Sequence, residues 1–327
     1  MPHRVPPTLD DVARVAGVSR ATASRALSGP ASTPARARVQ AAARQLGYAP
    51  NPVARALASR LGLRLAVAVH GRSADVLDDP YADRVVGAAA RVAAPHDVGV
   101  SAHWLPMDRT GAELLHRLGD DRSVCGVVLV NTTEAVLAAL PRSLCGRVAS
   151  IGIGAPGVPS FDVDNGRGAT AILRHVYGSG RRRIAMVTGP AWLPCAARPV
   201  AVYRDLMSAA GAPVRLVAGD FSADSGRSAA TEILRRWPDT DAVYAISDAP
   251  ALGAMVALRE HGVDIPGDIA VAGFDDVPFA ELSEPALTTA SHPVDRIASA
   301  AAIAVLAGRP APPVTLFASE LIRRRSA

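Results

Sequence analysis

The sequence predicts a two-part chain: an all-α helix-turn-helix head over residues 1–50 and an α/β body over 63–327, joined by residues 51–62. Three observations carry this reading. Apolar residues recur at helical spacing on either side of one glycine in TLDDVARVAGVSRATASRAL, residues 8–27. Arginine is concentrated around that stretch. From residue 63 onward, short apolar runs alternate with amphipathic segments long enough to be helices.

In chain order, residues 1–7 read as a proline-containing arm without periodicity. Thr8 is placed to cap a first helix, with Asp11 three positions on to answer the exposed amides. Leu9, Val12, Ala13 and Ala16 share one face. Gly17 ends the helix, because a left-handed residue there costs glycine nothing. Val18 plugs the turn, and Ser19 caps a second helix from Arg20 to about Leu27. Ala23 and Leu27 face inward beside Ala26, while Arg20, Ala21, Ser24 and Arg25 point outward. A second helix that is small inside and basic outside reads as helix-turn-helix; the plainer alternative is an ordinary helical hairpin. Ser32 or Thr33 caps a third helix, with Pro34 in its first turn, Val39, Ala42, Ala43 and Leu46 on its apolar face, and Gly47 closing it. In the joining stretch, Asn51 as cap and Pro52 at the first helical position allow a two-turn helix over 52–58, too short to persist alone. A plain interdomain linker is the alternative there.

Charge narrows the partners. Residues 1–62 hold nine arginines against Asp10 and Asp11, a net +7 where the whole chain is +5, so the remainder carries −2. There is no lysine among the 35 basic residues. Basicity confined to the helix-turn-helix segment is the footprint of a polyanion, and double-stranded DNA is the expected partner. Cys125, Cys145 and Cys195 are odd in number and widely spaced, which argues against a disulfide framework or a structural metal site. The start, MPHRVPPTLDD, lacks the apolar core of a signal peptide, and Leu63 to Val69 is too short to span a bilayer. A cytoplasmic protein without membrane partner, cofactor or metal is expected.

The body reads as strands at Leu65–Val69, Gly126–Val130, Arg147–Ile151, Ile184–Thr188, Ala242–Ile246 and Ile269–Gly273. Helical stretches such as Ala82–Ala94, Gly166–Tyr177, Ser225–Trp237 and Ala249–His261 lie between them. Nearly continuous apolar strands between such helices predict parallel sheets covered on both faces.

Several motifs resemble chemistry without supporting it. Gly152-Ile-Gly154-Ala-Pro-Gly157 matches G-x-G-x-x-G, but Pro156 and Pro159 prevent a helix from starting there. Arg181–Arg183 reads as a solvated turn and Arg323–Arg325 as a surface tail. Asp275-Asp276 is a carboxylate pair by type, yet adjacent residues seldom converge on one bond. No G-x-S-x-G elbow is present, and the eight histidines do not form metal-ligand spacings. No enzyme is expected.

TLDDVARVAGVSRATASRAL followed by ARVQAAARQLGYAPNPVARALASR resembles the DNA-binding head and hinge of the LacI/GalR family of bacterial transcriptional regulators. VCGVVLV, SFDVDNGRGATAILRHVYGSGRRRIAMVTGP, IPGDIAVAGFDDVPFAELSEPALTT and ELIRRRS resemble its effector domain, so the likeness spans nearly the whole chain. It implies a periplasmic-binding-protein-like body of two Rossmann-like subdomains, about 63–161 plus 292–319 and about 162–291. It also implies a homodimer on a near-palindromic operator and a small-molecule effector, a sugar or related metabolite, in the cleft between the subdomains.

Helix geometry places Arg20 and Ala21 at base edges of the major groove, where Arg20 could reach guanine O6 and N7 and Ala21 offers only a methyl. The resemblance adds Thr22, Ser24 and Arg25 as base or phosphate contacts, with Thr8, Ser19, Tyr48, Asn51 and Ala54 also at the DNA. Leu57 matches the family's leucine that wedges between central base pairs from the minor groove. In the body it implies effector contacts from Tyr81, Trp192, Arg198, Phe221, Ser247, Asp248 and Asp275. Two departures from the family pattern stand out: Pro199 occupies the usual arginine position, with Arg198 displaced by one, and Ser247 replaces the usual asparagine. The competing reading is a cytosolic solute-binding receptor without DNA regulation.

Overall fold

The structure is a computed structural model; it describes residues 8–28, 34–46, 48, 62–308 and 311–327. The arm, the Ser32/Thr33 cap, Gly47 and the 52–58 hinge helix, with Asn51, Ala54 and Leu57, lie outside the described residues. The chain divides into two compact units, Met1–Leu63 and Arg64–Ala327.

The first unit holds α1 (Leu9–Ala16), α2 (Arg20–Ser28) and α3 (Pro34–Leu46). Thr8 and Asp11 form a full capping box: the Asp11 amide donates to Thr8 Oγ1, and the Thr8 amide donates to Asp11 Oδ2 at 2.9 Å. Hydrogen bonds donated by the Thr8 amide and hydroxyl, with Arg14 alongside, hold the Asp11 carboxyl down at about 2. At the other end Gly17 sits at φ 63°, the Val18 amide reaches Ala13 O at 3.0 Å, and the Gly17 amide reaches Arg14 O. This Schellman closure turns the chain sharply into α2. The core is thin: Val12, Ala13, Ala16, Ala23, Val39, Ala42 and Ala43 are buried, flanked by Leu9, Val18, Ala26, Leu27, Leu46 and Tyr48. Alanine lets three short helices approach closely, but each buried methyl contributes only about 0.8 kcal/mol. Cap energy therefore weighs heavily here. Thr8→Ala should cost about 1 kcal/mol; hydrogen exchange on the full chain should show the first-turn amides of α1 about fivefold less protected, and unchanged protection would refute the role.

The body contains β1 (Leu63–Gly71), α4 (Pro80–Ala93), β2 (Val98–Pro106), α5 (Arg109–Asp120), β3 (Val124–Thr132), α6 (Glu134–Ala138), β4 (Val148–Gly152), β5 (Ser160–Val163) and α7 (Asn165–Gly178). There follow β6 (Ile184–Val187), α8 (Pro194–Ala209), β7 (Arg215–Val217), α9 (Ala223–Arg236), β8 (Ala242–Ala245), α10 (Asp248–Glu260), β9 (Ala270–Ala272), α11 (Pro278–Leu282), β10 (Thr289–Ala290), α12 (Val294–Ala307), β11 (Val314–Phe317) and β12 (Leu321–Ile322).

One sheet has the order β11-β5-β4-β3-β1-β2 and a second the order β7-β6-β8-β9. The pairings β1–β3, β3–β4, β6–β7 and β6–β8 are parallel, as continuous burial along β1, β3, β6 and β8 requires. The chain passes between the sheets near residues 164, 291 and 318, and β10 pairs antiparallel with β12 at the crossing. Packing there is close: a Cβ on Gly168 would stand 2.5 Å from both the Phe274 ring and Ser319 Oγ.

One sequence expectation needs revision. The C-terminal arginines are no surface tail. Leu321–Ile322 is a strand, Ser326 is fully buried with its hydroxyl donating to Val271 O, and Arg324 donates to Leu287 O and Asp276 Oδ1. The chain end is thus a structural strap, a role set by long-range partners. The helix α8 also runs through Pro199, which local pattern disfavours; Tyr203 on it donates its hydroxyl to Ile184 O and anchors it to the second sheet.

Candidate functional site

On the head, α2 opens on Arg20, whose side chain is 71% exposed. Its guanidinium is 3.4 Å from Asp10, also well exposed, so the pair leaves Arg20 available. Ser19 Oγ accepts the Thr22 amide at 3.1 Å and shares a hydrogen bond with Thr22 Oγ1 at 2.9 Å. Ser19 and Thr22 thus fix the start of α2. Thr8 is committed to the α1 cap, and half-buried Tyr48 packs on the head core. Ala21, Ser24 and Arg25 lie on α2, their side chains outside the described set.

In open parallel α/β sheets ligands bind outside the carboxyl ends of the strands, and in the body residues near those ends of the two sheets meet. From the first sheet come His70 at the end of β1 and Asp162 on β5, with Tyr81 in the first turn of α4. Asp79 caps that helix through the Tyr81 amide. From the second come Trp192, Arg198, Phe221, Ser247 and Asp275.

Side-chain contacts bridge the sheets. Arg198 Nη1 donates to Asp162 Oδ2 at 2.9 Å and to Asn165 Oδ1 at 3.0 Å. Trp192 meets His70 edge-on at 5.5 Å, and His70 Nδ1 is 3.0 Å from Leu105 O. Burial raises the Asp162 carboxyl, while Arg198 opposes that shift. Cys195, between these groups, is pushed up to about 12 by burial and the Asp162 carboxylate, so it is a neutral thiol.

Asp275 stands at φ 117°, a conformation L-residues rarely adopt and one that costs about 1–3 kcal/mol. Its amide donates to Ala290 O at 2.9 Å, and neighbouring Asp276 is clamped by Arg324. Held this way, Asp275 Oδ1 meets His292 Nδ1 at 2.8 Å, and the Tyr81 ring lies 5.2 Å from the His292 ring. Burial pushes the Tyr81 phenol well up, reinforced by the carboxylates of Asp162, Asp275 and Asp79. Phe221, at φ 71°, lays its ring over Gly189, where a Cβ would sit 2.8 Å from Cζ.

Asp248 is the exception among the effector residues expected from sequence. It is fully buried, accepting from Thr289 Oγ1 at 2.6 Å and from the Val277 amide at 2.9 Å, so it has no face toward a ligand. It is a positioning residue that holds the loop after Asp275–Asp276. His70, Asp79, Asp162 and His292 were not singled out from the sequence. Of these only Asp162 carried a local signal, as a lone charge inside the apolar run SFDV.

A helix-turn-helix head joined to a body with a cleft at its strand ends defines a ligand-responsive transcriptional regulator. Comparison with known proteins agrees. Residues 8–51 match the bacterial regulatory proteins of the lacI family, and residues 173–327 match the periplasmic binding protein-like domain. The chain is similar to the HTH-type transcriptional regulator CelR of Thermobifida fusca (35% identity over 311 residues, 90% of this chain and 89% of that one). It is also similar to GalR of Escherichia coli K12 (34% over 342 residues, 98% and 95%). Among solved structures, a CelR–cellobiose complex aligns with TM-score 0.70 at 28% identity, over 98% of this chain and all of that one. A lac repressor dimer bound to operator and the anti-inducer ONPF aligns with TM-score 0.71 at 25% identity, over 98% and 99%. The chain belongs to the LacI family of bacterial transcriptional regulators.

Proposed function

We propose that this protein is a cytoplasmic repressor that binds a near-palindromic operator as a homodimer and does no catalysis. Its operator affinity is set by a sugar or related metabolite held in the cleft between the two sheets. The observation that carries the reading is the presence, in one chain, of an arginine-led second helix and of a cleft bridged by Arg198–Asp162 and Trp192–His70. A ligand entering the cleft must compete with or reinforce those bridges, which changes how the sheets sit and so biases the paired heads. A coupling of about 1–3 kcal/mol is enough for a useful response. Pairing is supported by Phe279 and Leu282, 66% and 77% exposed on the short helix α11, where water would otherwise meet two large apolar side chains. Among the described residues no helix is long and apolar enough to cross a membrane.

DNA contacts come from Arg20, Ala21, Thr22, Ser24 and Arg25 on α2. Thr8, Ser19, Tyr48, Asn51 and Ala54 set register, and Leu57 wedges the minor groove. Tyr81, Trp192, Arg198, Phe221, Ser247 and Asp275 line the effector site. Gel shift on duplexes selected from a random library tests the reading. Complexes should have the mobility of a dimer, and affinity should fall steeply with salt, by about 10³ or more between 50 and 200 mM if six or more phosphates are neutralised. A flat salt response or no preference among duplexes would overturn it.

A further inference from the structure

We infer that the small molecule taken by this cleft carries a protonated amine, on a sugar-sized body with hydroxyl groups. The inference rests on the effector reading above and names the ligand class of that site.

Three carboxylates lie near Tyr81: Asp162 from the first sheet, Asp275 from the second, and Asp79 at the start of α4. Among the described residues Arg198 is the one arginine bonded to any of them, and its side chain donates to Asp162 and Asn165. Asp275 gives one oxygen to His292 Nδ1, and Asp79 gives one to the Tyr81 amide. Among the described residues, the second oxygen of each meets no side-chain donor. A ligand with a cationic group would answer these oxygens; a neutral one would desolvate them without pairing their charge, which is costly.

A second observation points to a ligand independently of the charge. Among the described residues, Tyr244 Oη and Ser247 Oγ are buried without a hydrogen-bond partner, and so is His292 Nε2. Tyr244 is wholly inaccessible and Ser247 is 5% exposed. The register Tyr244↔Ala272 puts Ser247, three residues on, level with Asp275, so these orphan groups gather at the same end of the sheet as the unanswered carboxylate. Buried polar groups without partners are rare and call for a missing one. A hydroxyl on the ligand body satisfies Ser247 Oγ, the Tyr81 and Trp192 rings offer faces that favour a cation, and Asp275 takes the ammonium.

Isothermal titration calorimetry on the full chain at about pH 6, where an ordinary amine is charged, would compare D-glucosamine with D-glucose and D-galactosamine with D-galactose. We expect at least one amino sugar to bind about tenfold or more tightly than its hydroxyl counterpart. Asp275→Asn should bring that preference within about twofold, consistent with loss of a charge-assisted pair. Should that variant fail to fold, Asp79→Asn, which keeps a capping side chain, carries the same measurement. A neutral sugar bound as tightly as its amine, or a preference untouched by the substitution, would overturn the amine assignment and leave the sugar-effector reading standing. Binding of neither kind would remove both.

Discussion

Replacing Asp248 by alanine is expected to destabilise the body by about 2–6 kcal/mol, since it strands one buried and one partly buried donor at about 1–3 kcal/mol each. The donors are the Thr289 hydroxyl and the Val277 amide, both on Asp248. Asparagine should be far milder: its oxygen can keep the Val277 amide while its NH₂ donates to Thr289 Oγ1. The two variants part company with pH. Burial, and then the Asp275 charge, raise the Asp248 carboxyl from its ordinary 3.8 to about 8. The folded protein therefore holds a proton that the unfolded chain releases, and binds more protons than the unfolded chain between these values. Stability should fall by up to about 1.4 kcal/mol per pH unit over that window, and level off above about pH 8. Urea unfolding from about pH 5 to about pH 9 should show this decline in the parent and a flatter profile in Asp248→Asn. A stability that rises with pH in the parent and not in the variant would contradict the burial argument.

Arg20→Ala should cost about 1–3 kcal/mol in each half-site if the side chain reads guanine bidentately. In a symmetric dimer the two losses combine to about 2–6 kcal/mol, or about 30-fold to 10⁴-fold weaker operator binding. The base preference at one position of each half-site should relax with it. Asp10→Asn is the control: it removes the carboxylate 3.4 Å from Arg20, and an exposed pair of that kind is worth at most about 1 kcal/mol. Fluorescence anisotropy on the selected duplex and on single-base variants measures both. An Arg20→Ala protein that binds the selected duplex and each single-base variant as tightly as the parent does would remove Arg20 from the recognition surface.

The head was legible because its signals are local. A cap, its acid three residues on, a glycine with φ above zero and an i, i+3, i+4 apolar face all act within two helical turns, and Thr8, Asp11, Gly17 and Val12 occupy the roles their spacing implies. In the body, strands that are apolar throughout, such as those containing Val67, Leu129 and Val243, were readable for the same reason. The edge strands β2 and β11 were not. Their burial alternates or fades, so composition alone does not separate them from loops. Helix α8 was hidden by Pro194 and Pro199, though the first is favourable at a helix start and the second is buried where Tyr203 anchors the helix.

The sequence by itself determined which residue types could meet DNA and ligand: a basic second helix, a cleft aspartate, and aromatic side chains at strand ends. Only the tertiary structure decided which of two adjacent aspartates is free, because Arg324, 48 residues away, takes Asp276 and leaves Asp275 to His292. It also turned Asp248 from a ligand contact into a buried strut, and the arginine-rich end into a strap along the second sheet. Local pattern records what each residue can do. Which charge is paired, and which is left facing the cleft, depends on partners that meet only when distant segments cross between the two sheets.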